Sequence, residues 1–178
     1  MDELIEILNP DGTFTGQSIL KSEAHKNGIY HPSVHVWICN KNGEVLIQKR
    51  VATKSTFPNL WDISAAGHIS FGENPMTAAV REVKEEIGLT VLPEKLNSVG
   101  SFEHRATHPN GIIDHELHYI YVCKIDFQPI ELKLQESEVA ELKLIPFDYF
   151  LEITSKNYFV PHGIEYFEII RNSLKKII

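Results

Sequence analysis

An α/β fold, a mixed sheet flanked by helices, is predicted by three observations in this 178-residue chain. Short β-rich runs are separated by hairpin-type turns, a well-capped amphipathic helix stands at mid-chain, and a second apolar stripe at helical spacing closes the sequence. Residues 3–8 are a brief apolar run ended by Asn9-Pro10-Asp11-Gly12, a strong turn signal. Residues 33–39 and 44–49 are β-rich and joined by Asn40-Lys41-Asn42-Gly43, which reads as a hairpin. The mid-chain helix has Asn74 as N-cap, Pro75 at the first helical position and Gly88 where a left-handed residue ends a helix. Its apolar face is Met76, Ala79, Val80, Val83 and Ile87. Strands are expected near 91–104, 115–126 and 139–145, with a loop at 105–114 containing Pro109, Asn110 and Gly111. The last segment, about 162–178, sets Ile164, Phe167, Ile170, Leu174 and Ile177 at helical spacing and carries Lys175-Lys176, favourable at a helix C-terminus.

Composition narrows the class. With 43% apolar and 23% charged residues the chain is ordinary globular material, most simply one domain over residues 1–178. A formal charge of −7 argues against a nucleic-acid backbone as partner. Two cysteines, Cys39 and Cys123, fit a reducing compartment better than a disulfide scaffold. The acidic start has no signal-peptide core and no stretch reaches membrane-spanning length, so a cytoplasmic location and no membrane partner are expected.

The chemistry concentrates between Gly67 and Leu89. Glu82, Glu85 and Glu86 stand at i, i+3 and i+4, which gathers three carboxylates on one helix face. Such a face repels itself and asks for a cation, and oxygen-rich sites suit hard ions such as Mg2+ or Mn2+. Arg81, four residues before Glu85 and eight after Glu73, is placed to hold a carboxylate. An isolated E-x-x-E-E run would read as a solvated face. Here Gly67, Glu73, Arg81 and Gly88 accompany it at fixed offsets.

That whole pattern resembles the signature of the Nudix hydrolase superfamily, residues 67–89, with every defining position matched. The resemblance implies an α/β/α Nudix sandwich and a loop-helix-loop that carries Mg2+ or Mn2+ against a small-molecule diphosphate, whose phosphoanhydride is cut by water. It assigns metal to Glu82, Glu85, Glu86 and the carbonyl of Ala66. Glu85 or Glu86 is the base that deprotonates water, and Glu73 and Arg81 are a structural pair beside Gly67 and Gly88. Glu136 and Glu138 lie where several family members draw a further ligand or base, and Glu136 is ranked first. Members often pair as homodimers, although no residue pattern here carries that.

A looser resemblance, over most of residues 20–145, is to type I isopentenyl-diphosphate isomerase. It rests on His31-Pro32-Ser33-Val34-His35-Val36-Trp37-Ile38, Gln48-Lys49-Arg50, Lys54 and Trp61-Asp62-Ile63-Ser64-Ala65-Ala66-Gly67-His68. It implies a separate metal site at His31, His68, Asp114 and Glu116, with His25 one residue out of register, and a grip on the substrate diphosphate by Arg50 and Lys54. The competing reading of these histidines is structural, and His25, His35 and His118 are expected to be structural or on the surface. The isomerase needs a cysteine just before the glycine-histidine pair, and this chain has Ala66 there, which cannot move a proton. Hydrolysis of a nucleoside diphosphate derivative or a prenyl diphosphate is therefore the leading expectation. Isomerisation and a non-catalytic ligand-binding module are the alternatives. Trp61 is read as core or pocket wall, and Trp37 as a residue that either packs or stacks on a base.

Overall fold

The computed structural model describes residues 2–127 and 131–178; Met1 and residues 128–130, included in the single-domain expectation, lie outside the described residues. A two-stranded ribbon of β1 (Leu4–Leu8) and β2 (Phe14–Leu20) leads into the short helix α1 (Lys21–Asn27). The main sheet has seven strands: β3 (His31–Cys39), β4 (Glu44–Arg50), β5 (Trp61–Asp62), β6 (Ala65–His68), β7 (Asn97–Thr107), β8 (Ile113–Lys124) and β9 (Val139–Pro146). Helix α2 (Pro75–Ile87) packs on one face; α3 (Phe150–Thr154) and α4 (Ile164–Leu174) pack on the other.

The central strand is β3, parallel to β8 and buried along its whole length. Its alternation of side chains divides the core. Val34, Val36 and Ile38 meet Ala78, Ala79, Val83 and Ile87 of α2. Trp37 and Cys39, on the opposite face, meet Phe150, Tyr166, Phe167, Ile170 and Leu174. Each fully buried large side chain contributes roughly 1.5–3 kcal/mol of transfer free energy, so these two layers hold α2 and α4 in place.

One irregularity in the sheet builds the site. β3 pairs with β4 at only Ile38↔Leu46 and Cys39↔Val45, after which β6 takes over the same edge with Ser33↔His68, Val34↔Gly67, His35↔Ala66 and Val36↔Ala65. β4 meanwhile pairs with β5 at Gln48↔Asp62 and Lys49↔Trp61. The hairpin expected around 40–43 is therefore present, but its arms splay. The strands β5 and β6 fill the opening and set Ala66-Gly67-His68 beside β3.

Several boundaries differ from the sequence reading. The strand expected near 91–104 begins at Asn97 and runs on to Thr107, because Pro93–Lys95 form a single 3-10 turn; the expected loop at 105–114 shrinks to the tip of the β7–β8 hairpin. The final helix spans Ile164–Leu174, and Ile164 is 79% exposed, so Tyr166 rather than Ile164 anchors its first turn. Trp37 is fully buried and donates its indole N–H to the Tyr166 hydroxyl, 3.0 Å away, so it packs and does not stack on a base.

Candidate active site

Helix α2 starts and stops as its sequence dictates. The Asn74 side chain accepts from the Thr77 N–H, and Gly88 closes the helix at φ 77° in the left-handed region. Gly67 is needed for a different reason. A Cβ there would overlap the carboxylate of Glu82, so the bare glycine lets α2 press its acidic face against β6.

Arg81 ties the motif together. Its guanidinium donates to both oxygens of Glu73 at 3.0 and 2.9 Å, to Glu82 at 2.7 Å, to Glu85 at 3.0 Å and to the His68 carbonyl at 2.9 Å. The hydrogen bonds to Glu73, with the neighbouring glutamates, hold its pKa above the ordinary arginine value. Glu73 also accepts from the Ser70 N–H, so Arg81 and Glu73 fix the turn that leads into the helix.

The three glutamates occupy distinct surroundings. Glu86 is buried, and one of its oxygens accepts from the Gln48 side chain and the Ala66 N–H, both at 2.9 Å, bridging β4 and β6 across the split. Burial pushes its pKa up to about 8. Glu82 is raised by burial as well, which outweighs the pull of Arg81. Glu85 has half its side chain exposed and lines the same cavity.

A second group forms where β3, β6, β8 and α1 meet. His25, His31, His68 and Glu116 bring ligand atoms to within 4.8 Å of one another. The sheet register explains it: His31 of β3 is level with Glu116 of β8, and Ser33 with both His118 and His68, so period-two alternation turns all of them to one face. His31 donates its Nδ1–H to the Ile29 carbonyl at 2.6 Å, while its Nε2 is buried without a hydrogen-bond partner among the described residues. Burial lowers the pKa of His31 and, more strongly, of His68, keeping both imidazoles neutral. His25 is the exception: burial pulls it down, but Asp114, 3.0 Å from its Nδ1, and Glu116 outweigh that and raise it. Asp114 stands behind His25 and also meets His108 Nε2 at 2.6 Å.

The structure corrects several expectations for individual residues. His25, read as structural or on the surface, joins the His31–His68–Glu116 group, because α1 carries it over the sheet. His35 and His118 are buried, and both line the cavity. Arg50 lines it too, and its guanidinium donates to the Thr56 carbonyl and hydroxyl and to Asp62. Glu136 is exposed and absent from the cavity wall. The tight turn from Gln135 to Val139 directs Glu138 inward instead, where it pairs with Lys54. Sequence reading also missed Asp62, His104 and His162. Asp62 is buried, and although burial opposes it, His162 at 2.7 Å and Arg50 hold its pKa down at about 2. For His35 and His118 a signal existed: His31-x-Ser33-x-His35 and Asp114-x-Glu116-x-His118 are each polar at every second position of a strand. His104 and His162 come together only through the tertiary fold.

The acidic face of α2 and His25, His68 and Glu116 of the histidine group open into one cavity of about 820 Å³. Fold and site together define a class, an α/β protein whose loop-helix-loop acidic motif lies along a polar cleft. The NUDIX domain family profile matches residues 29–162, and the chain belongs to the Nudix family as a Nudix hydrolase. Hydrolases of this family generally use divalent metal ions. The chain is 34% identical over 96% of its length to Nudix hydrolase 3 of Arabidopsis thaliana, and spans 23% of that protein. It is 33% identical over 72% of its length to an isopentenyl-diphosphate Delta-isomerase of Serratia proteamaculans, covering 70% of it. A crystal structure of a Deinococcus radiodurans protein superimposes with a TM-score of 0.71 at 19% identity, over 96% of this chain and 98% of that one, which shows the shared fold. Among the described residues, no helix is long and apolar enough to cross a membrane.

Proposed function

We propose that this chain is a single-domain, metal-dependent pyrophosphohydrolase that cuts a nucleoside diphosphate-linked or other small-molecule diphosphate by attack of water on phosphorus. The observation that carries this reading is the pair Glu82 and Glu86, buried beside Glu85 at one cavity and both raised in pKa by burial. Carboxylates held in that state fit a hard divalent ion, Mg2+ or Mn2+. Glu82, Glu85, Glu86 and the Ala66 carbonyl would hold it. When bound, such an ion neutralises phosphoryl oxygens and lowers the pKa of a water.

The chain's own groups do the rest. Glu85, exposed on one side and steadied by Arg81, is the carboxylate placed to take a proton from water. Gln48 and the Ala66 N–H fix Glu86. Lys54, paired with Glu138, and Arg50, held by Thr56 and Asp62, both line the cavity and are the cations that would meet a diphosphate. The histidine group fits a second divalent ion by its donors: an unpartnered buried nitrogen on His31, two further imidazoles and one carboxylate. Nitrogen ligands favour Mn2+ over Mg2+ there. The buried free thiols of Cys39 and Cys123 accord with a cytoplasmic setting.

Purified protein is to be tested with Mg2+ and with Mn2+ against nucleoside-linked and isoprenoid diphosphates, beside Glu85→Gln. The expected result is turnover of at least one of them, reduced on the order of 10²-fold or more in the variant. Equal turnover by both proteins would remove Glu85 from the mechanism.

Isomerisation of a prenyl diphosphate is the second reading, favoured by the His25–His31–His68–Glu116 group and the similarity to the Serratia enzyme. The methyl of Ala66 opposes it, since no thiol stands at that position. An NMR assay that shows interconversion of the two isoprene diphosphates without release of phosphate would reverse this ranking.

A further inference from the structure

Residues 51–60 join β4 to β5, and residues 53–57 of this loop line the cavity. None of residues 51–60 is buried, so the loop has no anchor in either core layer. It carries Phe57 and Asn59 at φ 47° and 61°, the only non-glycine residues with positive φ among the described residues. Such a conformation is strained for a residue as bulky as phenylalanine and persists only where neighbouring contacts hold it. The holding contacts come from the tip of the β7–β8 hairpin, which lines the cavity at residues 110–112. The Asn110 side chain donates to the Ser55 carbonyl at 2.8 Å, and the His108 ring meets Phe57 edge-on with centroids 5.1 Å apart. A loop with so few buried contacts opens at little cost once these are released.

The same contacts lead back to the histidine group. His108 Nε2 lies 2.6 Å from one oxygen of Asp114, and the other Asp114 oxygen lies 3.0 Å from His25 Nδ1. The second nitrogen of that ring, His25 Nε2, is 3.1 Å from His68 Nε2. An imidazole that gives Nε2 to a cation keeps its proton on Nδ1 and donates it to the carboxylate behind it. Asp114 is then fixed, and with it the ring that holds Phe57. We propose that residues 51–60 form a gate on the cavity, latched by Asn110 and His108, and that a divalent ion in the His25–His31–His68–Glu116 group tightens this latch through Asp114. Lys54 rides on the gate, so a cation that meets the diphosphate is steadied once the ion is bound. His108 is absent from the cavity wall and acts as a positioning residue. The inference rests on the reading of the histidine group as an ion site.

The test is backbone hydrogen exchange of the whole chain, read by mass spectrometry with and without Mn2+, with uptake of the ion followed by electron paramagnetic resonance on the same samples. Mn2+ should slow exchange of residues 51–60 by about five-fold or more, the low end of coupling between linked sites. In His108→Phe, which keeps a ring against Phe57 but makes no bond to Asp114, the ion should still bind and the slowing should vanish. Asn110→Ala should speed exchange of the loop with and without the ion, and because Asn110 is exposed its loss leaves the core untouched. Slowing that survives in His108→Phe would overturn the coupling, and so would loop exchange that ignores a bound ion. Loop exchange unchanged in Asn110→Ala would overturn the latch. Identical ion uptake by His31→Ala and the unaltered protein would remove the ion reading of the histidine group and the coupling with it. Exchange that stays the same while His31-dependent uptake is seen would remove only the coupling.

Discussion

Gly67 acts through the space its missing Cβ leaves, since that volume is filled by the Glu82 carboxylate. Gly67→Ala must push Glu82 or all of α2 outward, and overpacking of this kind costs roughly 1–3 kcal/mol. The predicted result is a lower midpoint in chemical denaturation together with a larger loss of turnover, because the displaced carboxylate belongs to the proposed metal site. A variant with normal stability and normal turnover would show that the contact is slack. Glu86 supports a prediction about pH. Its pKa rises from 4.5 to about 8 on folding, so between those values the native state binds a proton that the unfolded chain does not. Stability from this group is complete below pH ~4.5 and is lost as pH climbs through ~8, a change of order 5 kcal/mol at the limit. Thermal melts of metal-free protein should fall across that window, those of Glu86→Gln should be flatter, and added Mg2+ should restore the loss at high pH. A melting curve that rises from pH 5 to 8 would contradict the burial argument.

At the scale of elements, α2 was legible because every determinant is local: cap, first-turn proline, apolar stripe and terminal glycine all lie within fifteen consecutive residues. Asn74→Ala should therefore cost about 1 kcal/mol, the usual worth of an N-cap, and leave catalysis nearly untouched because Asn74 is not among the residues lining the cavity. Denaturation and turnover measured on one sample would separate the two effects, and a large loss of activity at unchanged stability would place the cap in the site. The neighbouring elements were harder to read. Helix α1 has a single buried residue, Ala24, and so presents no apolar stripe, yet it delivers His25. β5 and β6 are two and four residues long, too short for alternation to announce them. In β3 the polar positions His31, Ser33 and His35 alternate as a solvent-facing row would, yet both faces are buried, one in apolar core and the other partly in the cavity wall.

At the scale of the molecule, what the sequence could not show is the splitting of the sheet. Chain-local motifs revealed Glu82, Glu85 and Glu86, but the position of Ala66 beside His35, and of His31 beside Glu116, follows from strand pairings far apart in sequence. This topology sets two donor sets of different chemistry on one cavity: oxygens from α2 on one side, imidazoles and one carboxylate from α1, β6 and β8 on the other, with the fully buried His31 of β3 grouped among them. If each holds its own ion, Mn2+ uptake should be biphasic, and the two phases should separate by mutation. His31→Ala deletes the buried unpartnered nitrogen and should abolish one class of bound Mn2+ in an electron paramagnetic resonance titration, while Glu86→Gln weakens the other. Because His31 is fully buried, the variant's circular dichroism and melting point are needed alongside, to show that the sheet around β3 is intact. Uptake of a single ion by the unaltered protein, with no change in His31→Ala, would return these histidines to a structural role and leave the acidic helix as the sole metal centre.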